Sequence, residues 1–254
     1  VQSQLVQQRV GHVEKVVVVG KVLQHLRVDQ QRGVQHLGVG RSQVLQLLLQ
    51  LHGIDAMPAT DLASLLASRL CHDFISPASA IASGLDLLDD PSAQDMREEA
   101  MGLITSSAKK LADLLSFTRV AFGASASAET FDARELEKLA QGAFAHMRAE
   151  LEWTVEAPAV NKPAARTLLN LAQMGGAALP TGGTCTVRAV QEGDTIAIAV
   201  EATGPRARLR AEVLSGLQGE GPGEGLHGHW VQAYYIHLFL SDAGGRVFAN
   251  VADD

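Results

Sequence analysis

Between Asp61 and Asp90 the apolar residues Leu62, Leu66, Leu70, Phe74, Ile81, Leu85 and Leu88 recur at steps of three, four or seven. This spacing draws one apolar stripe along a single long helix. Asp90 followed by Pro91 reads as a helix N-cap with proline in the first helical position, where its missing amide costs no hydrogen bond. Met101, Ile104, Leu111, Leu114 and Leu115 give a second stripe that runs to about Val120. The two helices are expected to form an antiparallel hairpin. One hairpin cannot bury both stripes alone, so the pattern predicts a homodimer in which two hairpins make a four-helix bundle.

After GASASAET at 123–130 the pattern changes. A helix is expected from about Phe131 to Glu150, followed by the strand-like ELEWTVEA and a helix around Arg166 to Ala178. The strands TCTVRAV and TIAIAVEA flank Glu192, Gly193 and Asp194, the signature of a hairpin turn. Gly221 to Gly228 reads as a loop, followed by a helix from about Trp230 to Leu240 and a last strand, RVFANV. The fold class is therefore α+β: a dimerising helical hairpin over 57–124, then an α/β sandwich over 130–254. Residues 1–56 differ in composition, with Glu14, Asp29 and Asp55 as the only acids, and are expected to be a non-native, disordered or dispensable extension outside both units. The VVVV and LLL runs within them could form short strands or helix turns.

Composition narrows the function classes. The net charge of −7 supplies no evident basic face, which argues against nucleic-acid binding. No apolar run approaches the roughly 18 residues of a membrane helix, and the N-terminus lacks a secretory pattern, so no membrane partner and a cytoplasmic location are expected. Cys71 and Cys185 lie far apart with no metal-ligand spacing around them.

Candidate chemistry lies in Cys71-His72-Asp73-Phe74-Ile75-Ser76-Pro77, inside the first predicted helix. Pro77 cannot donate to the carbonyl of Asp73 and crowds it, which is expected to loosen or bend the turn carrying His72. Ser68, Ser76, Ser79 and Ser83 share the helix face of His72 and, with Ile75, leave a shallow platform for a docking partner. A neutral imidazole is a good nucleophile toward an acyl phosphate near neutral pH. In that chemistry Asp73 would orient the ring or hold a proton, and Arg69, one turn earlier, would neutralise phosphate oxygens. Lys109 and Lys110 fit an acidic partner or a solvated helix face equally well. The Gly221–Gly228 segment reads as a surface loop, His227 and His229 as surface histidines, and Trp153 and Trp230 as core or interdomain packing.

HDFISPASAI resembles the H-box of sensor histidine kinases, and RLCHDFISPASAIASGLDLLDDPSAQD resembles more closely the alphaproteobacterial histidine phosphotransferases, with similarity from about Leu62 to the C-terminus. That resemblance implies a dimeric hairpin followed by a degenerate kinase-like ATPase domain. It implies phosphate taken from the receiver domain of a hybrid kinase resembling CckA and passed to response regulators resembling CtrA and CpdR. It also marks departures from a working kinase. In LLNLAQMGGAAL, Asn170 stands at the first asparagine position and Met174 where a magnesium-binding asparagine belongs. In AVEATGPRARL, similar to the DxGxG adenine pocket, Ala202 replaces the acid, Gly204 keeps the first glycine and Arg206 fills the second. In GLHGHWVQAYY, His229 and Trp230 add bulk where a phosphate loop would run into a helix. No cofactor is expected on this chain, magnesium being expected in the partner's receiver domain. The competing readings are an ATP-dependent histidine kinase and a non-catalytic receiver-binding scaffold.

Overall fold

The structure, a computed structural model, describes residues 14–23, 57–123, 129–221 and 227–252. Helix α1 spans Ala59–Asp89 and helix α2 spans Arg97–Ala121, packed against each other as the hairpin the stripes predict. Gly84 lets them approach closely, because a Cβ there would lie 2.6 Å from Cγ1 of Ile104. The link between them differs from expectation. Asp90 caps a 3-10 turn over Pro91–Met96, accepting from the Ser92 amide at 2.8 Å and its hydroxyl at 2.7 Å, and the α-helix begins only at Arg97. These hydrogen bonds hold the Asp90 carboxyl below its usual range. α1 continues without interruption through the buried Pro77, so the turn carrying His72 stays helical.

The second unit begins with β2 (Thr130–Asp132) and α3 (Ala133–Phe144), which Asp132 caps through the amides of Arg134 and Glu135. α3 ends six residues short of the expected Glu150. The strand expected over ELEWTVEA is β3 (Ala149–Val155), which takes Ala149 and Glu150 from the expected helix and pairs in parallel with β5 (Gly183–Glu192). Between them come β4 (Ala159–Asn161) and α4 (Lys162–Ala177). β6 (Thr195–Gly204) returns antiparallel to β5 through a turn in which Gly193 takes φ +60°, as the hairpin signal predicts. Helix α5 (Ala211–Gln218) has no counterpart among the elements read from the sequence. Helix α6 (His227–Asp242) and β7 (Arg246–Ala252) complete the chain.

Residues 14–23, expected to lie outside both units, form strand β1 in the same sheet. The strand order is β3-β5-β6-β1-β7, with β1 antiparallel to both neighbours and Val18 opposite Val200 and Ala249. The rest of the 1–56 extension, including its LLL run, lies outside the described residues, as do 222–226 of the predicted glycine loop.

Helix α4 covers the sheet, burying Leu168, Leu169, Leu171 and Ala172 with Val187, Ile196, Ile198 and Val200. Phe117, Val120 and Ala121 at the end of α2 enter the same core. The hairpin is therefore fused to the sandwich at that end. A second seam joins α1 to α6, where buried Trp230, Val231 and Tyr234 meet Leu62, Leu65 and Leu66. Trp230 thus packs between the units and Trp153 against the main core, as the sequence suggests.

Candidate functional site

His72 projects from the middle of α1 with 85% of its side chain exposed. Ser68, Ile75, Ser76, Ser79 and Ser83 are exposed on the same helix, Ile75 at 63%. This face of α1 is left open, and nothing in the described chain covers it. Asp73 places Oδ1 3.4 Å from Nδ1 of His72. With a proton on Nδ1 the ring donates toward that oxygen, which leaves the Nε2 lone pair free and outward.

Arg69 points toward the sandwich. Its Nε donates to Oδ2 of Asp73 at 2.9 Å, and its Nη1 donates to the carbonyl of Gly228, at the start of α6, at 2.6 Å. Nδ1 of His229 lies 3.4 Å from the same Nη1. His229 is therefore half-buried at a domain seam, a correction to its reading as a surface histidine. Burial, then the positive charges of Arg69 and Arg210, lower its pKa against smaller opposing effects of Glu212 and Asp73. Lys109 is exposed on α2. The side chain of His227 lies outside the described residues.

The residues that the resemblance places in a nucleotide pocket sit as follows. Asn170 is buried, and its Nδ2 donates to the carbonyls of Ala121 and Arg166 at 2.8 and 2.9 Å. Its Oδ1 accepts from Nε2 of Gln232, which also donates to Gln173. The amide thus bolts α2, α4 and α6 together. Met174 is 6% exposed and lines a cavity of about 70 Å³ with Arg69, Gln173, Arg210, His229 and Gln232. Ligand pockets commonly measure about 300–1,000 Å³. Ala202 is buried in β6 opposite Cys185. Gly204 permits a backbone crossing, since a Cβ there would lie 2.6 Å from the Gly182 carbonyl oxygen. Arg206 follows in the left-handed region at φ +60°, where a glycine would sit without strain.

Sequence reasoning missed Gln232 and Gly228. Gln232 carries no motif, and Gly228 contributes only a backbone carbonyl, which residue type does not encode. Among the described residues no helix is long and apolar enough to cross a membrane.

Comparison with known proteins agrees with this geometry. A family model described as Histidine phosphotransferase C-terminal domain matches residues 133–254. The chain is 35% identical over 192 residues to Protein phosphotransferase ChpT of Brucella abortus (strain 2308), an alignment covering 75% of this chain and 90% of that protein. A solved structure titled as a bacterial phosphotransferase at 1.7 Angstrom superposes with a TM-score of 0.66 at 33% identity, covering 76% of this chain and 97% of the other. An exposed helical histidine backed by a carboxylate, joined to a matching C-terminal domain, makes this chain a member of the ChpT-like histidine phosphotransferase family.

Proposed function

We propose that this protein relays phosphoryl groups between receiver-domain aspartates through phospho-His72 and uses no ATP of its own. The observation that carries this reading is a solvent-exposed His72 beside a seam whose cavity, lined by Arg69, Met174 and His229, measures about 70 Å³. Phosphoryl can reach the exposed histidine from a docked protein, and the small cavity beside Met174 and Arg69 supports a chain that needs no bound nucleotide.

In the proposed step, Nε2 of His72 attacks the phosphorus of an aspartyl phosphate. A P–N bond forms, the P–O bond to the donor aspartate breaks, and the donor carboxylate leaves with the electron pair. Asp73 holds the ring tautomer and stabilises positive charge on the imidazole as the bond forms. The partner's receiver pocket supplies the magnesium that offsets phosphoryl charge. Return to a second receiver is the same step reversed. The donor is a CckA-like hybrid kinase and the acceptors are CtrA-like and CpdR-like response regulators, docked over Ser68, Ile75, Ser76, Ser79 and Ser83. Leu85, Met101, Leu103 and Leu115 are exposed apolar residues on the hairpin, which supports a homodimer through a four-helix bundle. The setting is the cytoplasm.

Incubation with a phosphorylated receiver domain should load phosphoryl onto the wild type and not onto His72→Ala. Stoichiometric receiver binding with no phosphorylated intermediate would instead establish a scaffold.

A further inference from the structure

The guanidinium of Arg69 is committed on two sides. Its Nε–H meets Oδ2 of Asp73 and one Nη1–H meets the Gly228 carbonyl. The side chain is only 16% exposed, against 85% for His72, so it lies in the seam between α1 and α6 and not beside the reacting nitrogen. The other oxygen of Asp73 is the one that faces Nδ1 of His72. A continuous chain therefore runs from the backbone at the start of α6, through a planar five-donor fork, through both oxygens of one carboxylate, to the phosphoacceptor ring.

We infer that Arg69 is a positioning residue for phosphoryl transfer: it clamps Asp73 to the sandwich through Gly228 and so sets the ring of His72, without contacting the phosphoryl group. This rests on phosphotransfer through His72 and goes beyond it by tying the reactivity of the hairpin histidine to the seating of the second domain. A carboxylate held by one oxygen keeps the other from rotating, and a ring held at Nδ1 presents Nε2 along one direction. Arginine suits the position because its fork engages a carboxylate and a carbonyl in one plane, whereas lysine is a point charge on a flexible stem.

The test needs no protein partner. Phosphoramidate transfers phosphoryl to an imidazole nitrogen, its own P–N bond breaking and ammonia leaving. The loading rate of His72 from phosphoramidate, read by intact mass, is compared among the wild type, Arg69→Gln, Arg69→Lys, Asp73→Asn and the Arg69→Gln/Asp73→Asn double variant. Arg69→Gln should slow loading at least about tenfold, as misplacement of a reacting group does. Arg69→Lys should restore part of the rate at most. The Arg69→Gln change should cost little more once Asp73 is already Asn, because the clamp acts through that carboxylate.

Unchanged loading in Arg69→Gln, full recovery in Arg69→Lys, or an equal loss from Arg69→Gln in both backgrounds would overturn the positioning role. Failure of the folded wild type to load at His72 from phosphoramidate and from a phosphorylated receiver domain alike would overturn phosphotransfer itself.

Discussion

Gln232 donates from Nε2 to Oδ1 of Asn170 at 3.0 Å, closing the acceptor of a side chain whose Nδ2 already serves Ala121 and Arg166. The asparagine that the resemblance aligns with the first asparagine of a kinase's nucleotide-binding helix is thereby used for structure. Asn170→Ala should destabilise the fold by about 1–3 kcal/mol, because the Ala121 carbonyl and the Gln232 amide lose buried partners. Chemical denaturation measures this, and an unchanged midpoint would show that the bolt contributes nothing.

The hairpin depends on one close approach. Gly84→Ala would place a methyl 2.6 Å from Cγ1 of Ile104 and 3.2 Å from the Ala100 carbonyl oxygen. Overpacking of this kind costs about 1–3 kcal/mol. Shortening the opposing side chain with Ile104→Ala should make the Gly84→Ala change less costly than it is alone, which a double-mutant cycle of melting temperatures would show.

His229 gives the domain seam a defined pH dependence. Its folded-state pKa lies below the ordinary 6.5, chiefly through burial and then through Arg69 and Arg210. The unfolded chain therefore binds the proton first as pH falls. Stability is fully present above about 6.5 and declines between that value and the lower folded one. The melting temperature of the wild type should drop across that window, and His229→Gln should flatten the drop. A variant with the same acid limb as the wild type would place the proton-linked group elsewhere.

The two thiols should behave oppositely toward alkylation. Cys185 is buried, and burial pushes its pKa up to about 12, whereas Cys71 is exposed beside His72. The thiolate is the reactive form. Brief treatment with N-ethylmaleimide should modify Cys71 and spare Cys185, as peptide mapping would show. The adduct on Cys71 should slow loading from a phosphorylated receiver by crowding the platform.

The hairpin was legible because its apolar steps lie within one helix and need no distant partner. The β5–β6 hairpin was legible for the same reason, its Gly193 turn being local. β1 was not, since its partners β6 and β7 come from the far end of the chain and a run of valines names no partner. β3 was legible in ELEWTVEA, but α3 was overextended at its end, where 145–148 turn and pairing with β5 takes Ala149 and Glu150 into the strand. At the site, His72, Asp73 and the serine platform could be placed by helical spacing. The direction of Arg69 could not, because what turns it toward α6 is the backbone carbonyl of Gly228.

One comparison tests the central claim most directly: radiolabelled ATP alone against a receiver domain carrying radiolabelled aspartyl phosphate, each mixed with the wild type and with His72→Ala. Phosphotransfer without ATP predicts label on the wild type from the receiver only, and none on the variant. Label transferred from ATP to His72 in the absence of any receiver would contradict it and make the protein a kinase.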